Sequence, residues 1–371
     1  MKLYNIPTSL VSMLNDIDFK ALPKIELHAH LSGSISRQTL HEVWLQKRQQ
    51  GLTTLQDPLI EMPLGKHDYD LKTFFPLFSS YIYHLVNDVA SLRYTTLAVL
   101  RDFAADGVVY LELRTTPRLI PDAGISVQDY VQIILDTIEE FEGSAPEPTM
   151  KTKLILSIDR RNSPQQAEAV LALLRHFSPS PSPSNRVVGL DLCGDPSTPL
   201  TSLIPLTPIF LETKQSLPHL GLTLHFAEAE SSGTDEELDL LLSWGPDRIG
   251  HVIHLSNNIK QKVRERASTG GPKKKMGLEL CLSCNVHAGM VTGGFEGHHF
   301  GEWHKGDETV VVLCTDDVGV FGSPLSNEYA LVVKHFGLNR KEICQLARKG
   351  IEVIFGGEHE RERLRSIMWT E

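Results

Sequence analysis

No window of this sequence approaches the roughly 18 uninterrupted apolar residues that a membrane-crossing helix needs, so no transmembrane segment is expected. The opening stretch, MKLYNIPTSLVSMLNDIDFKALPK, is broken by Pro7, Asn15, Asp16 and Asp18 and lacks an apolar core followed by a small-residue cleavage site, so it does not read as a secretory signal. Cysteine is scarce: Cys193, Cys281, Cys284, Cys314 and Cys344 form an odd set without paired C-x-x-C motifs. That excludes a disulfide framework and fits a reducing compartment, and a cytosolic location is the expectation. Cys281 and Cys284 make one C-x-x-C, weak ground for metal or redox chemistry. Positive charge is also short. Lys and Arg number 36 against 46 Asp and Glu, a net charge of −10, the wrong sign for a general nucleic-acid binder. Any anionic ligand would need a local basic pocket.

What is present is ordinary globular composition, 41% hydrophobic and 22% charged, over 371 residues, enough for a large core. Short β-rich runs recur, each followed by a helical stretch, the pattern of βα units around a parallel sheet. The runs lie near 24–30, 108–116, 151–159, 186–194, 222–228, 247–253, 277–283 and 309–317. Eight such runs, several apolar on both faces, match a closed (β/α)8 TIM barrel, an α/β fold, better than an open sheet. Helices are expected in SLRYTTLAVLRDFAADG, ending at Gly107, in VQDYVQIILDTIEEFE, and in PQQAEAVLALLRHF, where Pro164 suits a first turn. The segment 41–90 is too long for one crossover and is expected to carry extra helices capping the barrel mouth within a single domain, 1–371. SPSPSPSN (Ser178 to Asn185) and STGGPKKKMG (268–277) read as exposed linkers, with no function assigned to Lys273–Lys275.

In such a barrel the C-terminal ends of the strands form one rim, where groups from separate strands converge. The first run, KIELHAHLSGS, ends with His28 and His30 two apart, which puts both imidazoles on one face of a strand. Alone, the pair is better explained by one packed and one solvent-facing histidine. The fifth run adds His225 and Glu228, the sixth His251, and the eighth Asp316 and Asp317. Ionisable groups in apolar runs cost several kcal/mol unless paired or metal-bound, so packing explains each addition less well. Three imidazoles and a carboxylate suit a borderline metal, most simply one Zn2+ per chain, leaving a position for water. The ligands assigned are His28, His30, His225 and Asp316. A bound divalent cation lowers the pKa of its water from about 16 toward roughly 7. Glu228 is then a candidate proton donor or shuttle, His251 could position or deprotonate the water, and Asp317 could orient water or substrate. For each of these three the alternative is a hydrogen bond that only steers a ligand.

ELHAHLSGSI, LHFAEA, DRIGH and CTDDVGVF, in that order over nearly the whole chain, resemble the metal-binding and catalytic signatures of the adenosine and AMP deaminase family of amidohydrolase barrels. The resemblance implies attack of zinc-bound hydroxide on C6 of an adenine-type ring with loss of the exocyclic amine. It implies that Glu228 protonates N1, that His251 and Asp316 hold the nucleophile, that Asp317 bonds the purine, and that Gly194 brings its backbone to the base. The P-C-x-x-C ligand pair of cytidine-type deaminases is absent. At the end of YLELRTTPRL, Thr115, Thr116 and Arg118 could offer two hydroxyls and a guanidinium to a phosphate. With SIDRRN, LCGDP and CTDDVGVFGSPLSNEYAL, this resembles the adenosine deaminase-like branch, whose members resemble N6-methyl-AMP deaminases acting on the monophosphate. By that likeness His30, Ser32, His84, Pro117 and Asp159 also line the substrate site. Three positions depart from the pattern and bear on substrate contacts: Ser32 where Asn is common, Ala227 where Ser is usual, and Cys284 in place of another small polar residue.

The expected activity is zinc-dependent hydrolytic deamination of an N6-substituted purine nucleoside monophosphate, N6-methyl-AMP giving IMP and methylamine. Plain adenosine deamination is the near alternative, separated by release of ammonia. A two-metal amidohydrolase would often place a lysine on the fourth strand, and RVVGLDLCG has none. A catalytically silent purine-binding barrel would lack a ligand or Glu228, and neither is missing. The aromatics of FFPLFSSYIYHL are expected to pack between helices rather than stack on a ring, His84 excepted. Nothing in the chain requires an obligate partner, so a monomer is expected, with no nucleic-acid or membrane partner.

Overall fold

The computed structural model describes residues 17–144, 150–269 and 275–371. Eight strands follow the chain: β1 Lys24–His30, β2 Val108–Thr115, β3 Lys151–Asp159, β4 Val187–Cys193, β5 Gly221–Phe226, β6 Arg248–His251, β7 Met276–Leu280 and β8 Thr309–Leu313. Each pairs in parallel with the next, giving one sheet in the order β1 to β8. The seam between first and last strands is stitched by Asp316, just beyond β8. Its N–H donates to the carbonyl of His28 at 2.7 Å, and its own carbonyl accepts from the N–H of His30 at 3.0 Å. This is the (β/α)8 barrel that the alternation predicts.

The helices form where their signals stand. Val89–Ala105 starts from a capping box of Asp88 and Ser91, and Pro164–Phe177 starts from Ser163 and Gln166 with its proline in the first turn. The segment after β1 carries helices Arg37–Gln49, Pro58–Glu61, Leu71–Leu77 and Tyr83–Leu85. Between the last two, the chain widens into a π-turn over Phe78–Ile82, just after Pro76 inside the preceding helix. SPSPSPSN is a hydrogen-bonded connection into β4, exposed over 179–184 but with Ser178 buried, and Asn185 Nδ2 donates to Ser178 Oγ and to the Ser180 carbonyl, both at 2.7 Å. Residues 270–274 of the second expected linker, with Lys273 and Lys274, lie outside the described residues. Among the described residues no helix is long and apolar enough to cross a membrane, and the five cysteines are free and buried.

Strand parity sorts the side chains between two environments. Ile25, Leu27 and Ala29 of β1 are buried on its outward side, while Glu26 and His28 point into the barrel. The same parity turns Glu112 and Arg114, Asp191, Thr223 and His225, Arg248 and Glu279 inward, all buried. Runs that read as apolar on both faces therefore enclose a polar column. Arg248 spans Glu112 (Nη2–Oε2 2.6 Å) and Glu279 (Nε–Oε1 2.6 Å), and Arg114 joins Asp191 at 3.0 Å and also Glu279. Each charge alone would be costly to bury. Here the carboxylates of Glu112, Asp191 and Glu279 are met by arginines, and that of Glu26 by the backbone N–H groups of His28 and Thr315 at 2.8 and 2.9 Å.

Candidate active site and metal centre

At the C-terminal mouth the column ends in a tight cage. His28 Nε2 and His30 Nε2 lie 3.1 and 3.0 Å from His225 Nε2. Asp316 Oδ1 lies 3.5 and 3.4 Å from those same nitrogens of His28 and His30. Four donors bound tetrahedrally at about 2.0–2.1 Å would stand roughly 3.3 Å apart, so this set fits a zinc-sized divalent cation. His28, His225, His251 and Asp316 also offer atoms within 4.8 Å of one another. His251 is set further back, its Nε2 3.9 Å from the other carboxylate oxygen, Asp316 Oδ2.

Groups deeper in the column orient the cage. His28 Nδ1 meets Glu279 Oε2 at 3.0 Å, and His225 Nδ1 meets the Leu192 carbonyl at 2.8 Å and Asp191 Oδ1 at 3.2 Å. With Nδ1–H donating in each case, both Nε2 lone pairs face the cage, the tautomer that a metal needs. Arg114 holds both carboxylates in place. Gly250 belongs to the same packing, since a Cβ there would come within 2.7 Å of His28 Cε1. The backbone around the mouth is strained: Ala227, His251, Val252 and Asp316 have φ of 52°, 66°, 51° and 61°. Each such left-handed residue costs on the order of 1 kcal/mol, and together they aim His251 and Asp316 inward.

Two further acids flank the cage. Glu228 lies two residues past the end of β5 and is buried. Burial and the neighbouring Asp316 push its carboxyl up to about 8, so it keeps a proton at neutral pH. Asp317 is raised well above the ordinary range by burial and then by Asp316 and Glu228. Asp316 itself is held well below that range, because against the pull of burial it faces the imidazole of His28. Glu228 Oε2, Asp317 Oδ1 and His251 Nε2 make no hydrogen bond among the described residues.

These groups open into a cleft of about 850 Å³, its mouth included. One wall is apolar, with Phe74, Phe75, Phe78, Met290 and Phe321, and the other is polar, with Thr115, Thr116, Asp159, Arg161 and Gly194. The segment after β1 thus supplies part of the mouth, and three of its phenylalanines face the cleft rather than only packing between helices. The structure brings together on the cleft His30, Ser32, Thr115, Thr116, Asp159, Gly194, His225, Glu228, Asp316 and Asp317 from the residues singled out in sequence. His84 is exposed and, like Pro117 and Arg118, is not on the lining. Arg118 sits behind Tyr83, 4.0 Å from its ring, and donates to the Val86 carbonyl at 3.0 Å. The guanidinium on the cleft wall is that of Arg161, which grips Asp159 with Nε at 2.8 Å and Nη2 at 2.6 Å.

The adenosine deaminase family model matches residues 23–370. The chain belongs to the adenosine deaminase family. Within that family it is 33% identical to the N6-methyl-AMP deaminase of Danio rerio, covering 96% of this chain and 97% of that one. To the Homo sapiens N6-methyl-AMP deaminase it is 33% identical, covering 94% and 92%. Among solved structures, Arabidopsis ADAL complexed with IMP superposes with a TM-score of 0.81 at 31% identity, covering 94% of this chain and 96% of that one.

For this deaminase-family member, inspection of the sequence finds the cage and misses its supports. Glu279 and Asp191 each interrupt an apolar run, as His28 does, while Arg114 and Arg248 have polar neighbours in Thr115 and Asp247 and carry a weaker signal. The same cost that singles out the histidines applies to them. Arg160 is a further omission: fully buried, it pairs with Glu237 at 2.6 Å and stands near enough to Glu228 to oppose the rise of its pKa. Its signal is an arginine directly after a strand, in SIDRRN.

Proposed function

We propose that this barrel is a zinc-dependent deaminase of N6-substituted purine nucleoside monophosphates, converting N6-methyl-AMP and water to IMP and methylamine. The observation that carries this reading is the meeting, in one cleft, of a His3Asp cage and a buried carboxyl, Glu228, that keeps its proton at neutral pH. The likeness to relatives named N6-methyl-AMP deaminase, and to a structure complexed with IMP, supports the choice of substrate. One Zn2+ per chain would be held by His28, His30, His225 and Asp316. When bound, the cation lowers the pKa of its water and so supplies the nucleophile at neutral pH.

The remaining work falls to this chain's own groups. Glu228 donates its proton to N1 of the purine, which makes C6 electrophilic, and Asp317, kept neutral by burial and by its acidic neighbours, hydrogen-bonds a ring nitrogen. A C6–O bond forms to the water oxygen, one of the water's protons restores the Glu228 carboxyl, and the other goes to the leaving nitrogen as the C6–N bond breaks, so that IMP keeps the proton on N1. The apolar wall of Phe74, Phe78 and Met290 gives the alkyl substituent a place that water would otherwise fill. Thr115 and Thr116 offer hydroxyls to the phosphate, Arg161 and Arg118 offer positive charge, and Asp159 and Gly194 line the nucleoside side. The unit of function is the single barrel domain, acting as a cytosolic monomer.

A substrate panel of N6-methyl-AMP, AMP, N6-methyladenosine and adenosine, run with metal analysis of the purified protein, tests the reading. Methylamine release from N6-methyl-AMP with the highest kcat/KM, and one zinc per chain, is the expected result. Preference for the free nucleosides would overturn the monophosphate assignment. Absence of stoichiometric metal would overturn the cage.

A further inference from the structure

His251 ends β6, and its φ of 66° turns a fully buried ring into the mouth. Its Nε2 stands 3.8 Å from Glu228 Oε1 and 3.9 Å from Asp316 Oδ2, and its Nδ1 meets Asn285 Nδ2 at 2.9 Å. The direction of that last bond is set from outside the site. The backbone N–H of Phe300, which can only donate, points at His298 Nδ1 at 3.0 Å. That nitrogen therefore carries a lone pair, and the proton of His298 is on Nε2. Burial keeps His298 neutral. His298 Nε2–H donates to Asn285 Oδ1 at 3.2 Å, which turns the NH2 of the amide toward His251. The Nδ1 of His251 then accepts, and its proton is left on Nε2.

We infer, on the deaminase reading above, that Asn285 and His298 are positioning residues that hold His251 as a hydrogen-bond donor toward the reacting centre rather than as a base. His28 and His225 have the opposite polarity, giving Nδ1–H to Glu279 Oε2 (3.0 Å) and the Leu192 carbonyl (2.8 Å) and turning lone pairs inward. The relay runs Phe300 N–H to His298, His298 to Asn285, and Asn285 to His251, each step donating in the same direction. The contact between His299 Nε2 and the His251 carbonyl, at 2.5 Å, fixes the backbone that carries the ring. A neutral imidazole with its proton on Nε2 cannot take another proton from the attacking water at that nitrogen. It donates to the attacking oxygen and steadies the charge that develops there, while the proton leaving that oxygen goes to the Glu228 carboxylate, which has given its own to N1 and stands 3.8 Å from the same Nε2.

The test uses the metal-loaded protein with 15N-labelled histidine, the His251 signals being identified by their loss in His251→Asn. The expected wild-type spectrum shows the directly bonded hydrogen on Nε2 of His251. A hydrogen on Nδ1 overturns the inference without any variant. Asn285→Asp keeps the shape but can only accept from Nδ1, so it should move the hydrogen to Nδ1. It should also lower kcat about 100-fold, the scale of losing one preorganised donor, with KM and metal content little changed. His298→Leu should lower kcat, and His298→Gln, which still offers a donor to Asn285 Oδ1, should recover most of the loss. An unchanged tautomer and kcat in Asn285→Asp, or equal loss in the two His298 variants, overturns the relay. If no purine is turned over at all, the deaminase reading fails, and the nitrogen spectra still decide the tautomer.

Discussion

Replacing Glu228 with glutamine removes the acidic proton and almost no volume. Because burial and Asp316 hold that proton on the carboxyl up to about 8, its loss should act on chemistry rather than on folding. Glu228→Gln is expected to lower kcat at least about 100-fold, the scale of a lost general acid, with metal content unchanged. Near-normal turnover would remove Glu228 from the mechanism. Arg161 calls for a different measurement. It neutralises Asp159 on the cleft wall, while Arg118 lies behind Tyr83. Arg161→Gln should raise KM for the monophosphate about tenfold more than for the nucleoside, roughly the worth of one charge-assisted hydrogen bond. Arg118→Gln should move that ratio less, and the reverse order would make Arg118 the phosphate contact.

At the scale of elements, the short helix Leu31–Ser34 presses against the loop that carries Asp317. A Cβ at Gly33 would fall 1.4 Å from Asp317 Oδ1. Gly33→Ala must therefore displace that carboxyl, and kcat/KM should fall about 100-fold, as for an ångström-scale misplacement, while the metal stays bound. Helix Leu325–Phe336 supplies the pH-dependent case. Burial raises the Glu328 carboxyl to about 7, against hydrogen bonds from Ser283 and Ser323. The folded state thus binds this proton more tightly than the unfolded chain, whose glutamate titrates near 4.5. The associated stability is present below the unfolded value and is lost as pH rises through about 7, with an upper size of order 3 kcal/mol. Glu328→Gln should flatten the fall in unfolding free energy between pH 5 and about 8, as read by urea denaturation at several pH values. The helices themselves are legible in sequence where caps are explicit, as at Ser163–Pro164. The π-turn over Phe78–Ile82 is not, because periodicity carries no sign of an extra residue per turn, and so the phenylalanines that reach the cleft look like packing.

For the whole molecule, eight apolar runs in alternation with helices are enough to give the barrel and its order. They do not give its interior, because inward Glu112, Asp191, Arg248 and Glu279 each find an oppositely charged partner only when strands far apart in sequence meet. His28 and His30 are easier to find because they share one strand end with the same parity. Removing the metal should be felt globally, since a group that binds only the folded state stabilises by mass action. Chelation should lower Tm by several degrees, and Asp316→Asn should abolish that metal-dependent difference while Glu228→Gln keeps it. Equal Tm with and without chelator would detach the cage from folding. Asp316 is also the residue whose backbone closes the seam against His28 and His30, near the opposite end of the chain. A growing polypeptide therefore displays two imidazoles early and lacks the carboxylate until its eighth strand has been made. Loading of the ion has to wait for the ribosome to finish most of its work, and a product released too soon would remain an open, edge-bearing sheet without a place to keep one.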